Sequence, residues 1–511
     1  MILILLILMP LAGGLLAWAA GPLGPRWPRW IALLAMSAEL ALAILLWAHP
    51  ALLTAGRDEF TARISLPWIP SAGTSLELAL DGLSLPLILL TALLGLIAVG
   101  VSWDSIRSSV GFYHLNLLLA LAGITGVFLA FDLLLFYLFW ELMLVPMYFL
   151  IDLWGHEKRH AAALKFFIFT QAGGLLMLLS ILGLYYVHGR GSGQYSFSLP
   201  ELLGTAMAPG AARWLALGFF SAFAVKLPAF PLHTWLPDAH TQAPTAGSLI
   251  LAGLLLKTGA YGLLRFLLPL LPGAALELAP AARILGLAGI IYGAVLAFGQ
   301  SDLKRLVAYT SISHMGFVLL GAFAGNAQAL QGVVMQMLSH GLSTGALFIL
   351  AGLIQDRLHS RELGRMGGLW SPAPRLGASL AFFALASLGL PGMGNFVAEY
   401  LILAGTFRSS VPLAVIASSG LLAATIYALG MLHRAAFGPQ PAGLKMKDLR
   451  PPELAMLATL ALALLWLGLF PGAVLNASGR ALRELAPRTA VEAGILPGNA
   501  GSGAAAAGGG S

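Results

Sequence analysis

The stretch Leu215-Ala216-Leu217-Gly218-Phe219-Phe220-Ser221-Ala222-Phe223-Ala224-Val225-Lys226-Leu227-Pro228-Ala229-Phe230-Pro231 decides the fold class. It is apolar enough to enter a bilayer, yet it carries a lysine and then two prolines. A second run, Leu249-Ile250-Leu251-Ala252-Gly253-Leu254-Leu255-Leu256-Lys257, repeats the pattern. An ionisable group at the centre of a span costs roughly 2.5–3.5 kcal/mol on insertion scales, so its retention points to function. Glu141, in Phe136-Tyr137-Leu138-Phe139-Trp140-Glu141, and Glu399, in Asn395-Phe396-Val397-Ala398-Glu399, do the same with acids. Buried acids and bases spread along one membrane chain suggest a proton or ion path.

Composition agrees. The 511 residues are 59% hydrophobic and 10% charged, and mean hydropathy is +0.87. Soluble chains average about 25% charged residues. The expectation is an all-α polytopic membrane protein in contact with the lipid bilayer. There are no cysteines, which excludes disulfides, cysteine-held iron–sulfur clusters and zinc–thiolate sites. No complete Gly-x-Gly-x-x-Gly or Walker lysine motif occurs. Nucleotide or redox chemistry is therefore assigned to partners. The net charge of +7 reads as membrane topology rather than nucleic-acid binding. Met1-Ile2-Leu3-Ile4 has no basic leader and is read as the start of the first span.

A span needs about 20 apolar residues. Fourteen are expected, near 2–20, 30–48, 83–103, 112–130, 132–151, 163–187, 213–240, 244–267, 281–300, 303–323, 328–355, 374–407, 410–437 and 453–476. With the N-terminus outside, sixteen of the 28 Lys and Arg fall in cytoplasmic loops and ten in outer loops and the tail. That bias favours both termini outside, which in a bacterial inner membrane is the periplasm.

Two spans are discontinuous. Pro228 and Pro231 break the seventh. Pro391 and Gly392, in Leu388-Gly389-Leu390-Pro391-Gly392-Met393-Gly394-Asn395, break the twelfth. Proline removes a donor and clashes with the preceding turn, and broken backbone at membrane depth survives only where protein or water satisfies it. If five-span units start at 112 and 281, each break falls in the fourth span of its unit. Five is odd, so the second unit is inverted, with ion sites near the breaks. The division is then 1–111, three N-terminal spans; 112–267, first repeat; 281–437, second, inverted repeat; 438–476, last span; and 477–511, a tail whose Gly/Ala-rich end is read as disordered.

Glu141, Lys226, Lys257 and Glu399 are the leading candidates for the path. Desolvation disfavours the charged form of each, whereas a Glu–Lys pair keeps both charged. A pair that opens and closes is a usable pump element; a static ion pair is the alternative. His314 and His340 lie between the lysine-bearing spans and Glu399, and imidazole suits a relay because it donates and accepts at once. No spacing suggests metal ligation. His233, Asp238 and His240 follow the seventh-span break and form either an access path or a cap on the broken helix. Asp132, His156, Glu157, Lys158, Arg159, His160 and Lys304 read as interfacial or loop charges. Trp140, Trp154, Trp235 and Trp370 read as members of an aromatic belt.

Phe139-Trp140-Glu141-Leu142-Met143-Leu144-Val145-Pro146-Met147-Tyr148 resembles the fifth span of the antiporter-like proton-translocating subunits of respiratory NADH–quinone oxidoreductase, complex I, in their subunit M branch. Phe223 to Lys226, Pro231-Leu232-His233, Trp235-Leu236-Pro237-Asp238-Ala239-His240, Gln242 to Ser248 and Leu255 to Thr258 resemble the central signature of that superfamily. Ser313-His314-Met315-Gly316 and Ser339-His340-Gly341 also match, and the likeness covers roughly residues 75–440. It implies fourteen helices in two inverted five-helix units and a polar axis at the membrane midplane. Glu141 is implied to pair with Lys226, with Lys257 and His340 leading to Glu399, where sister subunits usually carry lysine. It implies no cofactor on this chain, with NADH, FMN, iron–sulfur clusters and quinone in partner subunits. The implied partners are other complex I membrane subunits, including sister antiporter-like subunits. The competing readings are an Mrp-type cation/proton antiporter subunit, a membrane subunit of a related hydrogenase, and a structural spacer.

Overall fold

The computed structural model describes residues 1–49, 62–440 and 446–492. The Gly/Ala-rich end read as disordered lies outside them. The N-terminal part comprises α1 (Ile2–Ala19), α2 (Arg26–Ala48), a hairpin of β1 (Ala62–Ile69) and β2 (Thr74–Leu80), and α3 (Ser84–Ser102). The strands pair antiparallel with Ala62 opposite Leu80. Next come α4 (Val110–Leu129), α5 (Leu133–Leu142), α6 (Leu144–Trp154), α7 (Arg159–Ser192), the short α8 (Leu199–Leu202), α9 (Pro209–Lys226) and α10 (Trp235–Gln242). Then α11 (Thr245–Ile250), α12 (Leu256–Gly262) and α13 (Leu268–Leu270) are joined through π-helical turns at Leu251–Leu255 and Leu263–Leu267. The chain ends with α14 (Pro272–Phe298), α15 (Leu303–Ala322), α16 (Ala327–Leu358), α17 (Pro374–Ser387), α18 (Gly394–Ser409), α19 (Val411–Leu432), α20 (Pro451–Leu469) and α21 (Gly472–Glu492).

Among the described residues, eleven helices are long and apolar enough to cross a membrane. They do not include α9–α10, α15 or α17–α18, the segments that are broken or richer in polar residues. Both expected breaks are present: α9 stops at Lys226 and helix resumes at Trp235, while α17 stops at Ser387 and α18 starts at Gly394. Gly389 and Gly392 take φ of 81° and 91°, which glycine adopts without a Cβ clash. The last span is shorter than expected, because α20 stops at Leu469 before Phe470-Pro471 and a separate helix, α21, runs from Gly472 to Glu492.

The α11–α13 span and α16 each have an 18-residue stretch that is wholly buried, whereas α2 and α20 turn most of their surface outward. Outward apolar side chains such as Leu34, Leu179, Leu422 and Leu462 belong against hydrocarbon. Small residues let α14 and α15 meet backbone to backbone: a Cβ on Gly316 would lie 2.6 Å from the Gly286 carbonyl oxygen. Lys257 and His340 lie within these buried stretches.

Candidate functional site: a buried polar axis

The best-connected segment starts at Lys257. In the π-turn before it, Leu256 N–H reaches back to Leu251 O instead of Ala252 O. The released Ala252 carbonyl accepts from Lys257 Nζ at 2.6 Å. The same ammonium donates to His340 Nδ1 at 2.6 Å. π-turns within α-helices are frequent at functional sites, and here the irregularity supplies a lysine with a backbone acceptor at membrane depth.

From His340 the axis crosses to His314, with ring centroids 5.6 Å apart. His314 Nδ1 donates to Glu399 Oε1 at 2.9 Å, and His314 Nε2 faces the hydroxyls of Ser387 at 3.2 Å and Tyr427 at 3.3 Å. Gln336 Nε2 donates to the same Glu399 oxygen at 3.2 Å. Lys257, His340, His314 and Glu399 are all buried. The twelfth-span break helps: α17 ends with Ser387 against His314, and Gly389 leaves room for Glu399 Oε2, 3.1 Å from where its Cβ would be.

The other end is arranged differently from the expectation. Glu141 and Lys226 do not form a direct ion pair: neither Glu141 Oε1 nor Lys226 Nζ has a hydrogen-bond partner among the described residues. Lys226 Nζ lies 5.0 Å from the centroid of the Trp140 ring and 5.9 Å from that of Phe166, in cation–π range. Glu141 occupies a notch left by Gly174, whose Cβ would stand 2.3 Å from Glu141 Oε1. The aromatic-belt reading of Trp140 and Trp235 fails for the same reason. Both are buried: Trp140 underlies the lysine, and Trp235 Nε1 donates to Val225 O at 3.0 Å.

The residues after the seventh-span break separate into two roles. Asp238 is partly exposed and pairs with Lys165 at 2.8 Å and Arg305 at 3.3 Å, a surface tie. His233 stacks on Phe230 and meets Tyr292 edge-on. His240 is buried with neither ring nitrogen partnered among the described residues, its ring centroid 4.3 Å from that of Phe348.

Lys304 is not interfacial as its position beside Asp302 suggests, but buried. Its Nζ donates to Ala243 O at 3.1 Å. The neighbouring Gln242 carbonyl accepts from His156 N–H at 2.8 Å, and Thr241 O accepts from Arg361. A broken helix exposes its last carbonyls and the negative end of its dipole. These three donors satisfy the end of α10, and two of them are cationic. Burial, then Lys304 and Arg361, push the His156 imidazole down to about 4. On the opposite side of the α11–α13 span, Arg265 pairs with Asp81 at 2.6 Å and donates to Tyr261 Oη. Burial alone would raise Asp81, but Arg265 and the N–H groups of Ser84 and Leu83 hold it below the usual carboxylate range.

Asp132, read as an interfacial or loop charge, is instead buried and caps α5. It accepts from Leu134 and Leu135 N–H at the start of α5, and from Thr74 and Ser75 of the hairpin. Glu39 carries no expectation from the sequence pattern, and it is fully buried on α2, accepting from the Thr125 hydroxyl at 3.0 Å.

Comparison with known proteins shows the family. Residues 130–425 match the family model described as NADH:quinone oxidoreductase/Mrp antiporter, transmembrane. The NADH-quinone oxidoreductase subunit M of Pseudomonas aeruginosa is 53% identical over 492 residues, covering 94% of this chain and 97% of that one. The subunit M of Escherichia coli is 51% identical, covering 94% and 96%. A chain of respiratory complex I from Thermus thermophilus with bound NADH superposes with a TM-score of 0.86 at 33% identity, covering 96% of this chain and all of that one. The Mrp complex of Dietzia has a chain with a TM-score of 0.82 at 20% identity, a likeness of fold alone. The chain belongs to the NADH:quinone oxidoreductase/Mrp antiporter family of membrane subunits, in its NADH-quinone oxidoreductase subunit M branch.

Proposed function

We propose that this chain is the proton-translocating membrane subunit of an NADH–quinone oxidoreductase, with Glu141, Lys226, Lys257, His340, His314 and Glu399 as its path. The observation that carries the reading is the buried connection from Lys257 through His340 and His314 to Glu399. Lys257 gives a proton to His340 Nδ1, and the imidazole releases one from Nε2. That proton crosses the gap between the rings through a ring rotation or one bridging water. It reaches His314, which exchanges it with Glu399. Lys226 and Glu141 form the gate upstream. With the pair apart, as here, Lys226 rests on Trp140 and Lys257 is isolated from Glu141. Closing the pair draws the Lys226 ammonium toward Glu141 and away from Lys257.

Moving one charge across 100 mV costs about 2.3 kcal/mol, so transport needs input from outside the chain. That input is NADH oxidation and quinone reduction in partner subunits, which hold the FMN and iron–sulfur clusters. The chain itself carries no redox group in this scheme. Sister antiporter-like subunits flank it in the membrane. The inner-membrane location has both termini in the periplasm, supported by the excess of Lys and Arg in the opposite set of loops. His240 and Lys304 extend the axis toward the cytoplasmic face, as auxiliary groups.

The test is Glu141→Gln in the assembled complex. The expected result is normal assembly with proton transport abolished or severely impaired. Wild-type proton transport by the assembled variant would remove Glu141 from the path.

A further inference from the structure

Lys226 and Lys257 are both buried, but they are held in different ways. Lys257 Nζ has two close acceptors, Ala252 O and His340 Nδ1, each at 2.6 Å. Lys226 Nζ has none among the described residues. What it meets instead is aromatic: the Trp140 ring centroid at 5.0 Å and that of Phe166 at 5.9 Å. A ring face attracts an ammonium through its quadrupole, and more strongly where water is excluded. The attraction is spread over the face, so it holds the charge without fixing it along a hydrogen bond.

The rings are fixed by their own neighbours. Trp140, on α5, packs against Phe136 and against Phe223 of α9, with ring centroids 5.7 Å away in both cases. Phe166, on α7, meets Trp235 of α10 at 5.3 Å. Trp235 Nε1 in turn donates to the carbonyl of Val225, the residue before Lys226, at 3.0 Å. The contacts that hold the rings therefore also hold the backbone that carries the lysine.

Glu141 has a separate support. It follows Trp140 on α5, so its side chain leaves the helix about 100° around from the ring. Gln171 of α7 hydrogen-bonds it, and Oε1 fills the notch at Gly174. Each partner of the pair thus has a place of its own while the two are apart.

We propose that Trp140 is a positioning residue of the gate: with Phe166, its ring face is the seat in which the Lys226 ammonium waits when it is apart from Glu141. The proposal deepens the reading of Glu141 and Lys226 as a gate and rests on it. An oxygen acceptor in the same place would hold the ammonium by a directional bond at every stage. With no ring there, a desolvated ammonium near a carboxylate is drawn to that carboxylate, and the pair stays closed. Trp140 therefore sets how readily the pair opens.

The experiment uses the assembled complex in proteoliposomes, with residue 140 replaced by progressively fluorinated tryptophans. Fluorine withdraws charge from the ring face with little change of shape. NADH-driven dye quenching is expected to fall stepwise with fluorination, by about tenfold for the fully substituted ring. Trp140→Phe, which keeps a ring face, should transport faster than Trp140→Leu. In a density map of the Trp140→Leu complex, Lys226 Nζ should lie within hydrogen-bond distance of Glu141. Lys226 still apart from Glu141 in that map would overturn the seat. Quenching that does not follow fluorination, with Lys226→Met inactive, would also overturn the seat and leave the gate standing. Wild-type quenching by Lys226→Met would remove the gate itself, and the proposal with it.

Discussion

Gly174→Ala separates the geometry of Glu141 from its chemistry. The added methyl would stand 2.3 Å from Glu141 Oε1, and ordinary contact begins at 3.4 Å. The carboxylate must therefore retreat by about 1 Å, a displacement that in positioned reacting groups costs on the order of a hundredfold in rate. The clash falls on the far end of a flexible side chain, so the fold tolerates it. The backbone gains, since alanine is favoured over glycine within a helix by about 1 kcal/mol. The expected outcome is a complex at least as stable as wild type, with proton transport slowed about tenfold or more. The neighbouring Gly173→Ala is the control, because its methyl meets Ala222 and Val225 at 3.3–3.5 Å and approaches no charged group. The assay is NADH-driven dye quenching in proteoliposomes, with thermal melting in parallel. Wild-type quenching by Gly174→Ala, in a variant shown to carry the methyl, would refute the claim that the carboxylate position matters. Equal losses in Gly173→Ala would assign the effect to helix packing.

Other outcomes follow from the same contacts. Arg265→Met leaves Asp81 buried without its cation, which should destabilise the complex by about 3–5 kcal/mol in a melting assay; retained stability would show that the pair is dispensable. His156 is held down to about 4, below its unfolded value. Its contribution to stability is therefore full above pH ~6.5 and is lost as pH falls toward 4. After screening of this partly exposed group, the loss should amount to about 1–2 kcal/mol, and His156→Gln should remove that part of the slope between pH 7 and pH 5. His314→Phe removes the ring nitrogens between His340 and Glu399. It should stop proton transport without preventing assembly, and normal transport would exclude a relay through this ring.

The intramembrane charges and both breaks were legible because they violate simple rules. A lysine after eleven mostly apolar residues, or a Pro-Gly inside a span, has no bland explanation in hydrocarbon. What stayed hidden depends on contacts between distant segments. Lys304 follows an acid at a helix start and reads as interfacial. Once buried, it is satisfied by the carbonyl of Ala243 at the end of α10, 61 residues earlier in the chain. Trp140, read as a belt residue, lies near the middle of the expected span 132–151 and packs under Lys226, where the side chains of α5 and α9 meet. The π-turns flanking Lys257 lie in Leu-rich sequence with no marker for them. Glu39 is an acid inside the second span, overt in the sequence, but it lacks a companion charge that would have drawn notice.

The most direct test of the central claim is the number of protons moved per NADH by purified complex carrying Lys257→Met in proteoliposomes. The side chain keeps its length but loses the donor to His340 Nδ1 and Ala252 O. The account predicts an assembled complex whose proton transport has collapsed. An unchanged proton count would contradict it, since protons would then cross without the lysine from which the connected axis begins.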